Sequence, residues 1–294
     1  MLAPPASSPA AGYADGIAMA RVIMERDDAR IGPTAKTLLL DHGTRTPWSV
    51  VLYHGFTNHP GQFAEFAGQL YALGANVLVP RMPLHGYADR MTDALKSLTA
   101  EMLLECSYQA VDAAVGLGER VAVAGLSMGG SICAYLAQYR ADIATSMPIA
   151  PDFGLLNLPR WVLDILCPVA LALPNVFLWW DPRNKENVLP KTAYPRFPTH
   201  ALMQTVRIGS EAYHAANREP ALAARIATVV NTHDPAVSNA VTLQVVRRWQ
   251  RLRSSGIEYV QLTDLPENHD IIDPENPQAR TDLVYPKLIE VLAL

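Results

Sequence analysis

The residues in this chain best suited to covalent chemistry are Gly125-Leu126-Ser127-Met128-Gly129. They follow the apolar run Val121 to Ala124 and precede the helical pattern Ser131 to Leu136. A G-x-S-x-G turn between strand and helix lifts the serine hydroxyl off the sheet, where a base can reach it. The flanking glycines let the two elements fold back closely, since a Cβ there would collide. A serine hydroxyl needs a base to take its proton and an acid to orient that base. In this turn context the expected chain order is Ser, then Asp or Glu, then His. His269, in Pro266-Glu267-Asn268-His269-Asp270, is the best base. Asp234, in Thr232-His233-Asp234-Pro235, is the best acid. Asp264 and Asp270 compete for the acid and His233 for the base. Asp264 lies too close to His269 in the chain, and His233 would face away from its neighbour Asp234 if the strand continued. A developing oxyanion needs backbone N–H donors. Met128, opening a helix, supplies one. Phe56, in His54-Gly55-Phe56-Thr57-Asn58, is the candidate for the second. His54 reads as a buried residue that shapes this loop, and His85 as a border of the pocket.

The elements that must position these residues alternate. Residues 13–28 read as a helix with Ile17, Ala20 and Met24 on one face. Strands are expected at 35–41, 48–54, 76–80, 120–126, 144–150, 226–231 and 257–263. Helices are expected at 61–73, 98–115, after Ser127, near 238–254, and at 279–293. Such alternation implies a mostly parallel sheet with helices on both faces. Ligands then bind beyond the carboxyl ends of the strands, where Ser127, Asp234 and His269 all fall.

Residues 151–220 interrupt the pattern. Trp161 to Trp180 is a stretch of twenty residues whose one charge is Asp164. Pro168, Pro174 and the flanking core strands argue against a membrane span. The stretch reads as a helical lid over the strand ends. Trp161, Phe177, Trp179 and Trp180 are its candidate substrate-lining residues, with packing of lid onto body as the alternative. The lid's apolar surplus is also compatible with contact at a membrane surface. Residues 1–12, rich in Ala, Pro and Ser, carry no secretory signal and are expected to be disordered.

The 294 residues are half hydrophobic, which suits one large core. A net charge of −4 argues against nucleic-acid binding. Arg247, Arg248, Arg251 and Arg253 cluster where cations suit a helix end. Cys106, Cys133 and Cys167 show neither disulfide nor zinc spacing. No H-E-x-x-H appears, and Gly116-Leu117-Gly118 precedes a strand rather than following one. Neither a metal nor a dinucleotide cofactor is expected, and the default compartment is the cytoplasm.

The His54-Gly55-Phe56-Thr57 loop, Gly125-Leu126-Ser127-Met128-Gly129, Asp234-Pro235-Ala236-Val237 and Asn268-His269-Asp270 together resemble the α/β-hydrolase family. More narrowly, they are similar to bacterial carboxylesterases and monoacylglycerol lipases. The resemblance covers about residues 35 to 294, although fewer strands than usual precede the HGFT loop. It implies an α/β-hydrolase fold with a helical lid inserted after the sixth strand. The corresponding division is a core of 13–150 and 221–294 and a lid of 151–220. The activity implied is cofactor-independent cleavage of lipophilic short- to medium-chain acyl esters, a small-molecule substrate class. A thioesterase, a carbon–carbon bond hydrolase and a non-catalytic ligand-binding member of the fold are the alternatives.

Overall fold

The computed structural model describes residues 2–155, 158–185, 190 and 193–294. Its first elements are α1 (Tyr13–Met24), β1 (Leu38–Leu40), β2 (Thr46–Tyr53), α2 (Ala64–Ala72) and β3 (Asn76–Val79). Then follow α3 (Ala100–Leu117), β4 (Gly118–Leu126), α4 (Met128–Tyr139) and β5 (Ile143–Ile149). The insertion holds α5 (Arg160–Ala172), β6 (Phe177–Trp179), β7 (Arg196–Pro198) and α6 (Thr199–Ala215). The chain closes with β8 (Arg225–Asn231), α7 (Asn239–Leu252), β9 (Ile257–Leu262) and α8 (Thr281–Leu292).

Seven strands form one sheet in the order β1-β3-β2-β4-β5-β8-β9. β1 runs antiparallel to β3 and the other neighbours are parallel. The central strands are buried on both faces, which is why they read as unbroken apolar runs. Their side chains divide by the period of two. Val51, Tyr53, Val121 and Val123 pack with α1, α3, α4, α6 and α7. Val50, Leu52, Ala122 and Ala124 face α2 and α8.

Three expectations change. The insertion leaves the fifth strand, not the sixth, because the chain reaches β2 and its HGFT loop after a single edge strand. It is not purely helical: β6 and β7 pair as an antiparallel ribbon. Its second helix, α6, packs directly on α4, burying Ala201, Ile208 and Ala212. Finally, residues 2–12 are not loose. Leu2 is buried, its N–H donates to Glu211 Oε2 at 3.0 Å, and its carbonyl accepts from Tyr135. Ser7 Oγ and Ser8 N donate to the Asp112 carboxylate at 2.8 and 2.7 Å. Composition argued for disorder, but fixed polar partners and an apolar slot offset the ordering entropy.

Asp112 anchors this segment while pairing with Arg140 at 2.7 Å, both side chains about 5% exposed. Removing Asp112 takes away one of the two carboxylates on the buried Arg140, with Asp142 at 2.5 Å remaining, and strips Ser7 and Ser8 of their acceptor. Asp112→Ala is therefore expected to destabilise the protein by about 3 kcal/mol in chemical denaturation. A loss under about 1 kcal/mol would show that the pair contributes no more than an exposed one.

Candidate active site

The turn after β4 places Ser127 at φ 57°, ψ −113°, a left-handed conformation that a non-glycine residue adopts at a cost. Neighbouring strands hold it there. Ser127 N donates to Ile149 O of β5 at 2.9 Å. A Cβ on Gly125 would lie 2.5 Å from the Gly129 carbonyl oxygen, and one on Gly129 would strike the Tyr53 carbonyl of β2. Gly125 thus lets β4 and α4 fold back closely, as the motif implied, and Gly129 further permits contact of α4 with β2. Ser131 then clamps the first turn. Its hydroxyl donates to Asp152 Oδ1, and Asp152 N donates back to Ser131 Oγ at 3.0 Å.

Asp234 follows β8 and His269 follows β9, strands that are adjacent in the sheet. His269 Nδ1 lies 2.7 Å from Asp234 Oδ2. The other carboxylate oxygen accepts from Ala236 N and Val237 N at 2.8 and 3.1 Å. The Asp234 side chain is fully buried, while that of His269 keeps 25% exposure. Burial pulls the imidazole's pKa down, but the Asp234 hydrogen bond and charge outweigh it, with help from Asp270 and Asp152. The net direction is upward.

The competitors for acid and base are placed elsewhere. His233 is exposed and its Nδ1 contacts Leu265 O at 3.0 Å. Asp264 is exposed. Asp270 turns away from its neighbour, accepting from Ile272 N, Asp273 N and Gln62 Nε2. Asn231, at the end of β8, was not singled out in the sequence. Its Nδ2 donates to Pro266 O and Asn268 O at 2.9 and 2.8 Å, bracing the loop that carries His269. A polar residue ending a buried strand was its one visible signal.

The Phe56 loop follows β2, whose Tyr53 pairs with Gly125. An added Cβ on Gly55 would be 3.8 Å from Leu126 O, so the loop lies against the serine turn. His54 sets its geometry. His54 Nε2 accepts from Met82 N at 3.1 Å, so Nδ1 carries the proton and donates to Gly55 O at 2.9 Å. A trans peptide points its N–H opposite its C=O, so the Phe56 N–H is directed away from the His54 ring. Among the described residues this N–H has no protein acceptor. Met128 is the first residue of α4, where a helix leaves its N–H groups unpaired.

His85 and the insertion's aromatics divide. His85 packs edge-on against Phe56 with ring centroids 6.1 Å apart, and its Nδ1 contacts Pro83 O at 2.9 Å. Trp180 reaches the same loop: its Nε1 donates to Thr57 Oγ1 at 2.9 Å and its ring meets Phe56 at 6.2 Å. Phe177 instead stacks under Arg196 and Lys96, and Trp179 under Lys185. Trp161 is 66% exposed. The inner stripe of α5 is Arg160, Leu163 and Cys167, and Trp161 lies about 200° around the helix from Leu163. Among the described residues no group of His, Cys, Asp and Glu has the arrangement of a metal site.

A sequence profile of the alpha/beta hydrolase family matches residues 50–280. The chain belongs to this family. A thermostable monoacylglycerol lipase of Bacillus sp. (strain H-257) is 27% identical over 164 residues, 55% of this chain and 62% of that relative's length. Two solved structures share the α/β-hydrolase fold. One comes from the work on LipS and LipT, metagenome-derived lipolytic enzymes, with a TM-score of 0.66 at 21% identity over 90% of this chain and 99% of that one. The other is the monoacylglycerol lipase of Paleococcus ferrophilus, with a TM-score of 0.66 at 16% identity over 87% and 98%. The α/β hydrolase described here is thus similar to lipases and esterases. Among its described residues no helix is long and apolar enough to cross a membrane.

Burial holds His54 well below the ordinary imidazole pKa and brings His85 down to about 4. Both rings are expected to stay neutral from pH 8 to pH 5, with His54 in the Nδ1–H form, when followed by ring nitrogen NMR. Titration of either ring inside that window would contradict this tautomer assignment.

Proposed function

We propose that this α/β hydrolase is a serine ester hydrolase acting on lipophilic short- to medium-chain acyl esters. The observation that carries the reading is the 2.7 Å contact between His269 and the buried Asp234 on the rim that holds the Ser127 turn. With Nδ1 facing Asp234, the His269 Nε2 is the atom left to serve as base. Ser127 Oγ attacks the acyl carbonyl carbon as its proton passes to His269. The Phe56 and Met128 N–H groups hold the resulting oxyanion. Collapse expels the alcohol, which takes the proton from His269 and leaves an acyl-enzyme. Water gives a proton to His269 as it attacks the acyl carbon, and collapse releases the carboxylic acid as that proton passes from His269 to Ser127 Oγ.

The lipophilic preference draws on the insertion and on the monoacylglycerol lipase relative. Along α5, at its end and on β6, Trp161, Ile165, Val169, Leu173 and Leu178 are all 46% or more exposed. Single exposed apolar residues are ordinary, but a run of them fits contact with a lipid surface. Residues 151–220 act in this reading as the lid that selects the acyl chain.

Ser127→Ala should lose at least about three orders of magnitude in kcat on a nitrophenyl ester, and a fluorophosphonate should add its mass at Ser127 in the native protein. Retained turnover in the variant would overturn the mechanism. Octanoyl esters should outrun acetyl esters, and acyl-CoA of equal chain length should be slower than either. Turnover should rise above the micellar threshold of the substrate; a flat rate there would remove the surface contact.

The pH dependence has a definite sign. His269 must be neutral to accept the serine proton, and its pKa is raised by Asp234. The acidic limb of kcat/KM is therefore expected above the ordinary imidazole value of 6.5, with activity falling as pH drops through it. A limb below 6.5 would contradict this placement of the base.

A further inference from the structure

Two buried amides join the Phe56 loop to the loop after His269, more than two hundred residues away: Asn58, whose Nδ2 makes long contacts with Asp270 Oδ2 at 3.5 Å and Asp273 Oδ2 at 3.4 Å, and Gln62, whose bonds are shorter. Gln62 follows the Phe56 loop in a short turn and is 2% exposed. Its Oε1 accepts from Gly55 N at 2.8 Å, and its Nε2 donates to Asp270 Oδ2 at 2.7 Å. The chemistry of the two partners forces this orientation. A backbone N–H can only donate and an ionised carboxylate can only accept, so neither end of the amide can be exchanged.

Each partner is fixed from its other side as well. The Gly55 carbonyl is held by His54, so both peptide planes flanking Gly55 are pinned, one by His54 and one by Gln62. The plane held by His54 carries the Phe56 N–H, and the plane held by Gln62 immediately precedes it, so the two bonds together fix the backbone turn at Gly55 that aims this N–H. Asp270 Oδ1 gathers Ile272 N and Asp273 N at 3.2 and 3.1 Å, which folds the chain just after His269 into a tight turn. Asn268 and Asn276 close that turn through the Asp270 carbonyl at 2.6 and 3.0 Å.

We propose that Gln62 is a positioning residue that locks the oxyanion loop to the loop carrying the base, with Asp270 as its anchor. This rests on the serine hydrolase reading. Gln62 acts through Gly55 on the direction of the Phe56 N–H, and through Asp270 on the location of the imidazole. It fixes the spacing between the oxyanion donor and the proton acceptor, two points whose relative placement the tetrahedral intermediate demands. Neither Asp270 nor Gln62 touches the reacting atoms.

Gln62→Met keeps the length and removes both hydrogen bonds. It should lower kcat by about 10- to 100-fold with KM changed less than about threefold. Affinity for a trifluoromethyl ketone, which forms an oxyanion on Ser127, should fall by a similar factor. Asp270→Asn should lower kcat at least as much, since it also disturbs the turn held through Ile272 N and Asp273 N, and adding Gln62→Met to it should cost little more, because the linkage to Gln62 is already lost. The groups whose charge acts on His269 are Asp234, Asp270 and Asp152. Losing the Asp270 charge lowers the imidazole pKa, so the acidic limb of Asp270→Asn should move to lower pH, a shift that mere loosening of the fold would not produce.

Gln62→Glu supplies a second variant should the methionine fail to fold. As an acid it still accepts from Gly55 and donates to Asp270, and as a carboxylate it repels Asp270. Its kcat relative to the wild type should recover as pH falls and decline as pH rises. The proposal is overturned by a folded Gln62→Met with kcat and ketone affinity within about twofold of wild type, by multiplicative effects in the double variant, or by a Gln62→Glu ratio that does not vary with pH. Fluorophosphonate labelling of the wild-type protein separates the two readings. An unlabelled Ser127 removes the hydrolase reading itself, whereas labelling with an indifferent Gln62 removes only the bridge.

Discussion

Everything at the rim of this sheet depends on the backbone reversal at Ser127. A residue with φ 57° opening a twelve-residue helix must be held from outside, since its own conformation costs about 1–3 kcal/mol. Three neighbours hold it: the Ile149 carbonyl on β5, the Tyr53 carbonyl lying against Gly129, and the Asp152–Ser131 clamp. Two of them come from the end of β5 and the residues just after it, and the third from the end of β2. The sheet order β2-β4-β5 is thus what places the bend where it is, and the bend turns a strand end into a helix start with free N–H groups.

Around that bend the structure uses buried polar residues that donate and accept in one fixed sense. His54 is neutral, with its proton on Nδ1, because Met82 N occupies Nε2. Gln62 faces a donor on one side and a carboxylate on the other. Asn231 gives both protons of its amide to the loop before His269. Buried polar groups are expensive when unpaired, so a network satisfied in only one orientation rigidifies its loops. Loops that would otherwise be mobile thereby hold positions as fixed as the strands that bear them.

What the sequence made legible follows from range. β2, β4, β5 and β8 were visible because burial on both faces leaves continuous apolar runs. Ser127, Asp234 and His269 were visible because each ends such a run and belongs to a residue type with its own chemistry. Gln62 was not, and Asp270 was read only as a competing acid, since their shared role lies in partners 7 and 208 positions away that no local pattern reports. Trp161 was misread because a long apolar stretch does not say which side of α5 meets α6. The order of residues 2–12 was missed because composition registers Ala, Pro and Ser but not the Asp112 carboxylate that receives Ser7 and Ser8.

The insertion does not merely sit above the sheet. Trp180 donates to Thr57 Oγ1 and Tyr194 N donates to Thr57 O at 2.9 Å, so the β6–β7 region grips the residue next to Phe56. Thr57 itself has φ 65°. The insertion is therefore also a brace for the turn beside Phe56. Grafting a foreign insertion onto this body would exchange two things at once, the walls seen by a substrate and the support beneath the loop, and chimeras would need Thr57 and its two donors transferred as a unit.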